Sequence, residues 1–334
     1  MSKHANAALF VPNAGCPHRC SFCDQAAISG HPAIPTADEV AHVCETAIAT
    51  RRVSPEKSEI AFFGGSFTAL PQAQQDTLLS AAYPYVRAGQ FKGIRLSTRP
   101  DCVDEAVCAR LRTFGVTAVE LGAQSMDDCV LARNRRGHTA ADTVAAAACI
   151  HGAGIELGLQ MMTGLPGDTD DGARETLRQL CALSPATLRI YPTQVLRGTL
   201  LAKWWAEGTY MPQTLEDAAA LCAQLLDYAE RGCGIPVIRL GLHADASMQA
   251  ARLAGPYHPA FRELCEGELY LRLALTALQA GHAGTEAVLS VAPAALSCMI
   301  GQHKRNIQAL SRAGYRAKVH PDPTLPRYAV RLGD

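Results

Sequence analysis

Three cysteines stand within eight residues, Cys16-Pro-His-Arg-Cys20-Ser-Phe-Cys23, just after the apolar run at 7–11. Three thiolates on one short loop suit three irons of a cubane iron–sulfur cluster and leave the fourth iron open. A structural cluster or zinc site normally closes its coordination with a fourth protein ligand. An open iron accepts a small chelating ligand, which points to chemistry rather than to structure. The alternative is a zinc site completed by His18, Asp24 or Cys44. Zinc ribbons usually pair two C-x2-C knuckles, and the sequence has no second one.

Gly64-Gly65-Ser66-Phe67 directly follows the second apolar run, where paired glycines let backbone approach a ligand closely. Ser97 ends the third run, and Glu120 lies inside the otherwise apolar fourth. A carboxylate enclosed by a barrel needs a partner or loses several kcal/mol to desolvation. Arg95 and Arg99 are the candidate ion-pair partners, and a bound polar ligand is the other use for that carboxylate. Gln160 on the fifth run carries the same two readings, whereas Met161 and Met162 read as core filling. Asn134-Arg135-Arg136-Gly137-His138-Thr139 precedes a helix for which Thr139 is the candidate N-cap. Its two arginines read as an anion site or as solvated surface. Gly164-Leu-Pro-Gly167-Asp168 reads as a tight βα loop with its own helix cap.

The elements that must position these residues alternate. Strand-like runs fall at 7–12, 59–63, 93–98, 117–122, 156–162, 187–195 and 235–240. Helical stretches lie near 37–51, 72–87, 103–113, 140–152, 171–182 and 214–231. This is the pattern of repeated βα units on a parallel sheet, and it places the residues above at strand C-terminal ends. At 334 residues the chain has room for one large domain and a small second one. Thirty-one basic and thirty-one acidic residues balance, which excludes a wholly basic nucleic-acid coat. No apolar run reaches membrane-spanning length, the N-terminus has no signal-peptide pattern, and the thirteen cysteines do not form a secreted framework. A soluble, cytoplasmic protein is expected, with Cys149, Cys181 and Cys222 packed as small hydrophobes.

The cysteine loop, with Phe22 before its third cysteine, resembles the cluster motif of radical S-adenosylmethionine (SAM) enzymes. The resemblance implies a partial (βα)6 barrel carrying a [4Fe–4S] cluster on Cys16, Cys20 and Cys23. It implies SAM held by Gly64, Gly65 and Ser66, with Phe22, Ser97, Glu120 and Gln160 nearby. It also implies reductive cleavage of SAM to a 5′-deoxyadenosyl radical, fed by a low-potential flavodoxin- or ferredoxin-type donor. Arg189 and Tyr191 would face the substrate.

Within that superfamily, four segments resemble the radical SAM domain of the elongator catalytic subunit, a tRNA-modifying enzyme. They are Glu120-Leu-Gly-Ala-Gln-Ser, the run at 134–139, the run at 188–199 and Trp205-Ala-Glu-Gly-Thr-Tyr-Met-Pro212. The spacing of the first two cysteines is shorter than in that subunit. Counterparts of its acetyltransferase domain and its tRNA-holding N-terminal extension are not expected, so acetyl-CoA and wobble-uridine chemistry are not carried over.

After residue 284 the order becomes β-α-turn-α-β-β, which resembles a minimal K-homology RNA-binding module. Its loop is Gly301-Gln-His-Lys304, with Lys304 in place of the second glycine of GXXG. Residues 285–334 hold seven Lys/Arg against three acids, so Gly301, Lys304 and Arg305 are candidate RNA contacts. The expected organisation is a barrel at 1–245, a connecting helical segment at 246–284 and a small α+β domain at 285–334. The expected substrate is tRNA or another RNA. A small molecule or peptide is the alternative substrate, and a non-catalytic iron–sulfur redox sensor or RNA-binding regulator is the alternative class.

Overall fold

The computed structural model describes residues 5–11, 16, 18–24, 33–242, 246–281 and 284–333. The chain divides into two compact units, Met1–Pro212 with Leu242–Gly255, and Gln213–Gly241 with Pro256–Asp334.

In the first unit, six strands pair in parallel and in chain order: β1 (Ala5–Val11), β2 (Ser58–Gly64), β3 (Gly93–Thr98), β4 (Val116–Gln124), β5 (Glu156–Thr163) and β6 (Thr187–Pro192). The connections carry α1 (Ala37–Thr50), α2 (Gln72–Arg87), α3 (Glu105–Thr113), α4 (Asp128–Arg133), α5 (Ala140–Gly152) and α6 (Asp170–Ala182). This is a partial (βα)6 barrel. Parallel strands are covered on both faces, so they read as continuous apolar runs rather than alternating ones. Ile60, Ala61 and Phe62 are successive and all buried, as are Ile94 and Leu96 on the neighbouring strand.

After β6 come β7 (Val195–Leu196), α7 (Leu200–Ala206), α8 (Leu215–Asp227), β8 (Val237–Leu240), α9 (Ala246–Ala251) and β9 (Arg252–Ala254). Strands β7 and β9 form a short antiparallel pair. Polar first residues set the helix starts. Asp104, Asp127, Thr169 and Thr199 each accept a hydrogen bond from the first turn, and Thr139 with Asp142 closes a full capping box on α5.

Register delivers the polar residues to neighbouring positions. Glu120 lies between Ser97 on β3 and Gly158 on β5, and Gln160 lies opposite Arg189 on β6. A bulge between Gly122 and Gln124 breaks the ladder at the end of β4, with Gln124 at φ 68°. Bulges of this kind turn side chains and are common beside active sites.

The second unit packs α10 (Phe261–Ala280) against a small α+β module: β10 (Glu286–Val291), α11 (Leu296–Ile300), α12 (Arg305–Arg312), β11 (Arg316–Pro321) and β12 (Val330–Leu332). β10 is central, parallel to β11 and antiparallel to β12. Asn306 is wholly buried, and its amide donates to the carbonyls of Gly267 (2.8 Å) and Cys298 (3.1 Å). Removing it strands two buried acceptors, so Asn306→Ala should cost about 2–3 kcal/mol in urea unfolding of the full chain. A loss below about 0.5 kcal/mol would show that this amide does not lock the module to α10.

Candidate functional site

The cysteine loop is held by a polar clamp from the strand β4 connection. Ser21, wholly buried, donates its backbone N–H to the Asn134 carbonyl (3.1 Å) and its hydroxyl to Asn134 Oδ1 (2.7 Å). Asn134 Nδ2 then donates to the carbonyls of Val130 (2.8 Å) and Pro166 (3.0 Å). Every group in this network has a partner, which rigidifies a buried polar cluster. The Leu201 N–H donates to the Ser21 carbonyl, and the Cys23 N–H donates back to Cys20. Phe22 packs against the buried cluster of Val130, Met162 and Leu165, as Tyr191 does, and also against that of Val195, Leu201 and Tyr210. The aromatic before the third cysteine is thus the apolar anchor of the loop.

Cations and hydroxyls meet the thiols. Cys16 Sγ lies 3.4 Å from Ser66 Oγ at the end of β2, and Arg136 Nη1 donates to Cys20 Sγ at 3.3 Å. Arg136 also donates through Nη2 to the Gly122 carbonyl. Arg99 donates to the Arg136 carbonyl and, at 2.9 and 3.0 Å, to the Asp101 carboxylate. Both arginines are more than nine-tenths buried, yet Arg136 Nε and Arg99 Nη1 meet no acceptor among the described residues. His138 Nε2 lies 3.2 Å from the Ala123 carbonyl, and its buried Nδ1 has no partner among the described residues. Burial, then the charges of Arg136 and Arg99, push the His138 pKa down to about 4. At neutral pH this imidazole is uncharged.

Backbone turns decide which members of the 134–138 run face inward. Arg135 (φ 54°) and Gly137 (φ 71°) take the left-handed region, and Asn134, Arg136 and His138 are buried while the two between them are exposed. A Cβ at Gly137 would fall 2.2 Å from the His18 ring, so glycine is required both for the turn and for the space.

Inside the barrel the charges form a ladder. Arg95 Nε donates to Glu59 (2.8 Å) and its Nη1 to Glu120 Oε1 (3.3 Å). Arg189 Nη2 donates to the same oxygen (2.7 Å), and its Nε lies 2.7 Å from Glu120 Oε2. Arg189 also stacks over Phe63 at 5.2 Å and reaches the Tyr191 hydroxyl at 3.4 Å. Of the partners expected for Glu120, Arg95 is present, whereas Arg99 is turned to Asp101. Arg189, expected to face substrate, instead spends its charge on Glu120. A guanidinium matches a carboxylate through two parallel contacts, and burial strongly favours that pairing over an exposed position.

The remaining candidates fall as follows. Gly64 takes φ 106° and the Gly65 N–H donates to the Val11 carbonyl, a chain turn that puts Ser66 beside Cys16. Ser97 is half-buried beside Glu120 in register. Gln160 Nε2 donates to Gln124 Oε1 at 3.2 Å, and Met161 and Met162 fill the core. The alternative zinc ligand Cys44 is wholly buried in α1, where desolvation pushes its thiol up to about 12. It stays protonated and makes a poor metal ligand. Cys181 and Cys222 are buried and Cys149 is half-buried, all as free thiols.

The radical SAM superfamily profile matches residues 10–180, and that of the radical SAM C-terminal domain matches residues 185–270. The chain belongs to the radical SAM superfamily and is an enzyme of that class, with a [4Fe–4S] cluster and SAM as cofactors. It is 28% identical over 230 residues to the tRNA uridine(34) acetyltransferase of Dehalococcoides mccartyi, covering 59% of this chain and 50% of that protein. It is 29% identical over 196 residues to Elongator complex protein 3 of Homo sapiens, covering 52% of this chain and 35% of that protein. The chain therefore matches half or less of the length of these relatives. The structure of archaeal Elp3 from Methanocaldococcus infernus, with an N-terminal deletion, shares the fold at a TM-score of 0.62 and 19% identity, covering 82% of this chain and 68% of that one. Among the described residues, no helix is long and apolar enough to cross a membrane.

The residues present fit such a cluster. Arg136 turns one nitrogen to Cys20, and its buried Nε finds no acceptor among the described residues, a cation that a negatively charged sulfur cluster would satisfy. Among the described residues, Cys16, Cys20 and Cys23 included, no three His, Cys, Asp or Glu side chains are gathered closely enough to hold one metal ion.

His138 gives this region a pH signature. The unfolded chain protonates it near its ordinary 6.5 and the folded chain only near 4, so stability falls as the pH drops through that window. Relative to His138→Gln, the wild type should lose about 2 kcal/mol in urea unfolding between about pH 7 and about pH 5. Parallel behaviour of the two proteins would contradict a buried neutral imidazole.

Proposed function

We propose that this enzyme cleaves SAM reductively and acts on RNA, with tRNA as the first substrate class. Cys16, Cys20 and Cys23 would hold three irons. Gly64, Gly65 and Ser66 would receive the methionine end of SAM, with Phe22, Ser97, Glu120 and Gln160 lining the same barrel mouth. The observation that carries this reading is where the thiols lie: Cys16 against Ser66 at the end of β2, and Cys20 against Arg136 in the loop after α4. When bound, the reduced cluster supplies the electron that breaks the S–C5′ bond of SAM, giving methionine and a 5′-deoxyadenosyl radical. The protein's own work is positional. The Ser21–Asn134 clamp fixes the loop, Phe22 seals its apolar side, and the Glu59–Arg95–Glu120–Arg189 ladder ties the strands together. Glu120 reaches SAM only through lone pairs that its two arginines leave open. The electron donor would be a low-potential flavodoxin or ferredoxin.

After anaerobic reconstitution and dithionite reduction, the wild type should turn SAM into 5′-deoxyadenosine, and Cys20→Ala should lose both the iron–sulfur absorption and this product. Undiminished product from Cys20→Ala would refute the ligand set. A loaded cluster that yields no product would favour a redox sensor.

RNA as substrate draws on the tRNA-directed names of the relatives and on the basic C-terminal module. Three of that module's seven cations are already paired: Arg305 with Glu268, Arg327 with Glu230 and Glu266, and Arg331 with Asp322. Lys304, Arg312, Arg316 and Lys318 are exposed. His303 and Lys304 both take left-handed φ, following Gly301 at φ 75°, so the loop between the helices is sharply turned. Lys304→Ala with Lys318→Ala should lower the salt dependence of tRNA binding by a slope of about 2, roughly one per lysine. An unchanged slope would move the substrate to a small molecule or peptide.

A further inference from the structure

We propose that Arg136 is a positioning residue that raises the reduction potential of the cluster through its hydrogen bond to the Cys20 thiolate. The proposal rests on the reading that Cys20 is a cluster ligand. Iron–sulfur potentials respond to net charge, to hydrogen bonds on the sulfurs and to solvent exposure. Arg136 acts on all three. Its Nη1 points at Cys20 Sγ from 3.3 Å, the side chain is 7% exposed, and a guanidinium stays charged at any working pH. Reduction adds one electron and no proton to the cluster, so it places one more negative charge beside this fixed cation. The cation therefore stabilises the reduced state more than the oxidised one, and screening by water is small in a buried site.

The arginine is itself aimed. Its second amino group is tied to the Gly122 carbonyl beside the β4 bulge, and its own carbonyl is tied to Arg99. Arg99 brings a second buried cation, part of whose field is cancelled by the Asp101 carboxylate. The two side chains predict opposite signs. Neutralising Arg136 removes positive charge at the sulfur, whereas neutralising Asp101 unmasks Arg99.

The test is an anaerobic redox titration, followed by the electron paramagnetic resonance of the reduced cluster, on reconstituted full-length protein with dithionite as reductant. Arg136→Gln should lower the one-electron reduction constant about tenfold, equivalent to about 59 mV, with Arg136→Lys recovering part of the shift. Asp101→Asn should shift the potential upward. A full cluster with unmoved potentials in Arg136→Gln and Asp101→Asn would overturn the proposal. If Arg136→Gln binds no iron, Arg136→Lys decides, a lowered potential supporting the proposal and an unmoved one overturning it. A wild type that takes up no cluster would instead overturn the ligand reading and this inference together.

Discussion

Burial of charge governs the first unit. Five arginine and acidic side chains, Glu59, Arg95, Arg99, Glu120 and Arg136, are all less than a tenth exposed. Each must find an opposite charge, a carbonyl or a ligand, because an unpaired buried ion costs several kcal/mol. Glu59, Arg95, Glu120 and Arg189 settle this among themselves across four strands. Arg99 pairs with Asp101 and the Arg136 carbonyl, and Arg136 adds the Gly122 carbonyl and the Cys20 thiol. The ladder spends most of its charge internally, while Arg136 turns a buried cation toward the cysteine loop.

The path from sequence to site runs through short-range rules and then long-range ones. Strands β3 and β5 and helices α2 and α5 were legible because apolar continuity, 3.6-residue periodicity and, for α5, the capping Thr139 are local signals. The three cysteines and the glycine pair were legible because spacing carries their chemistry. The short helix α4 and the β4 bulge were not, since six residues give little periodicity and a bulge leaves no compositional mark.

Partner choice was the least legible layer. Glu120 called for an arginine, and three lay on or near its own strand's neighbours; only the folded side-chain contacts show that Arg95 and Arg189 reach it while Arg99, just past the end of β3, turns to Asp101. Arg135 and Arg136 are chemically identical in the sequence, yet one is exposed and the other touches Cys20. The deciding fact is the left-handed backbone at Arg135 and Gly137, of which only the glycine advertises itself. The alternation of Asn134, Arg136 and His138 with two turn-forming positions is the signal that would have found all three.

The central claim is that the cysteine loop presents a cluster with one iron unclaimed by protein. Electron paramagnetic resonance of the reduced, reconstituted protein before and after SAM is added tests it most directly. An account with an open iron predicts a [4Fe–4S] signal that changes shape when SAM binds that corner. A signal indifferent to saturating SAM, or one from a centre other than a four-iron cluster, would contradict it.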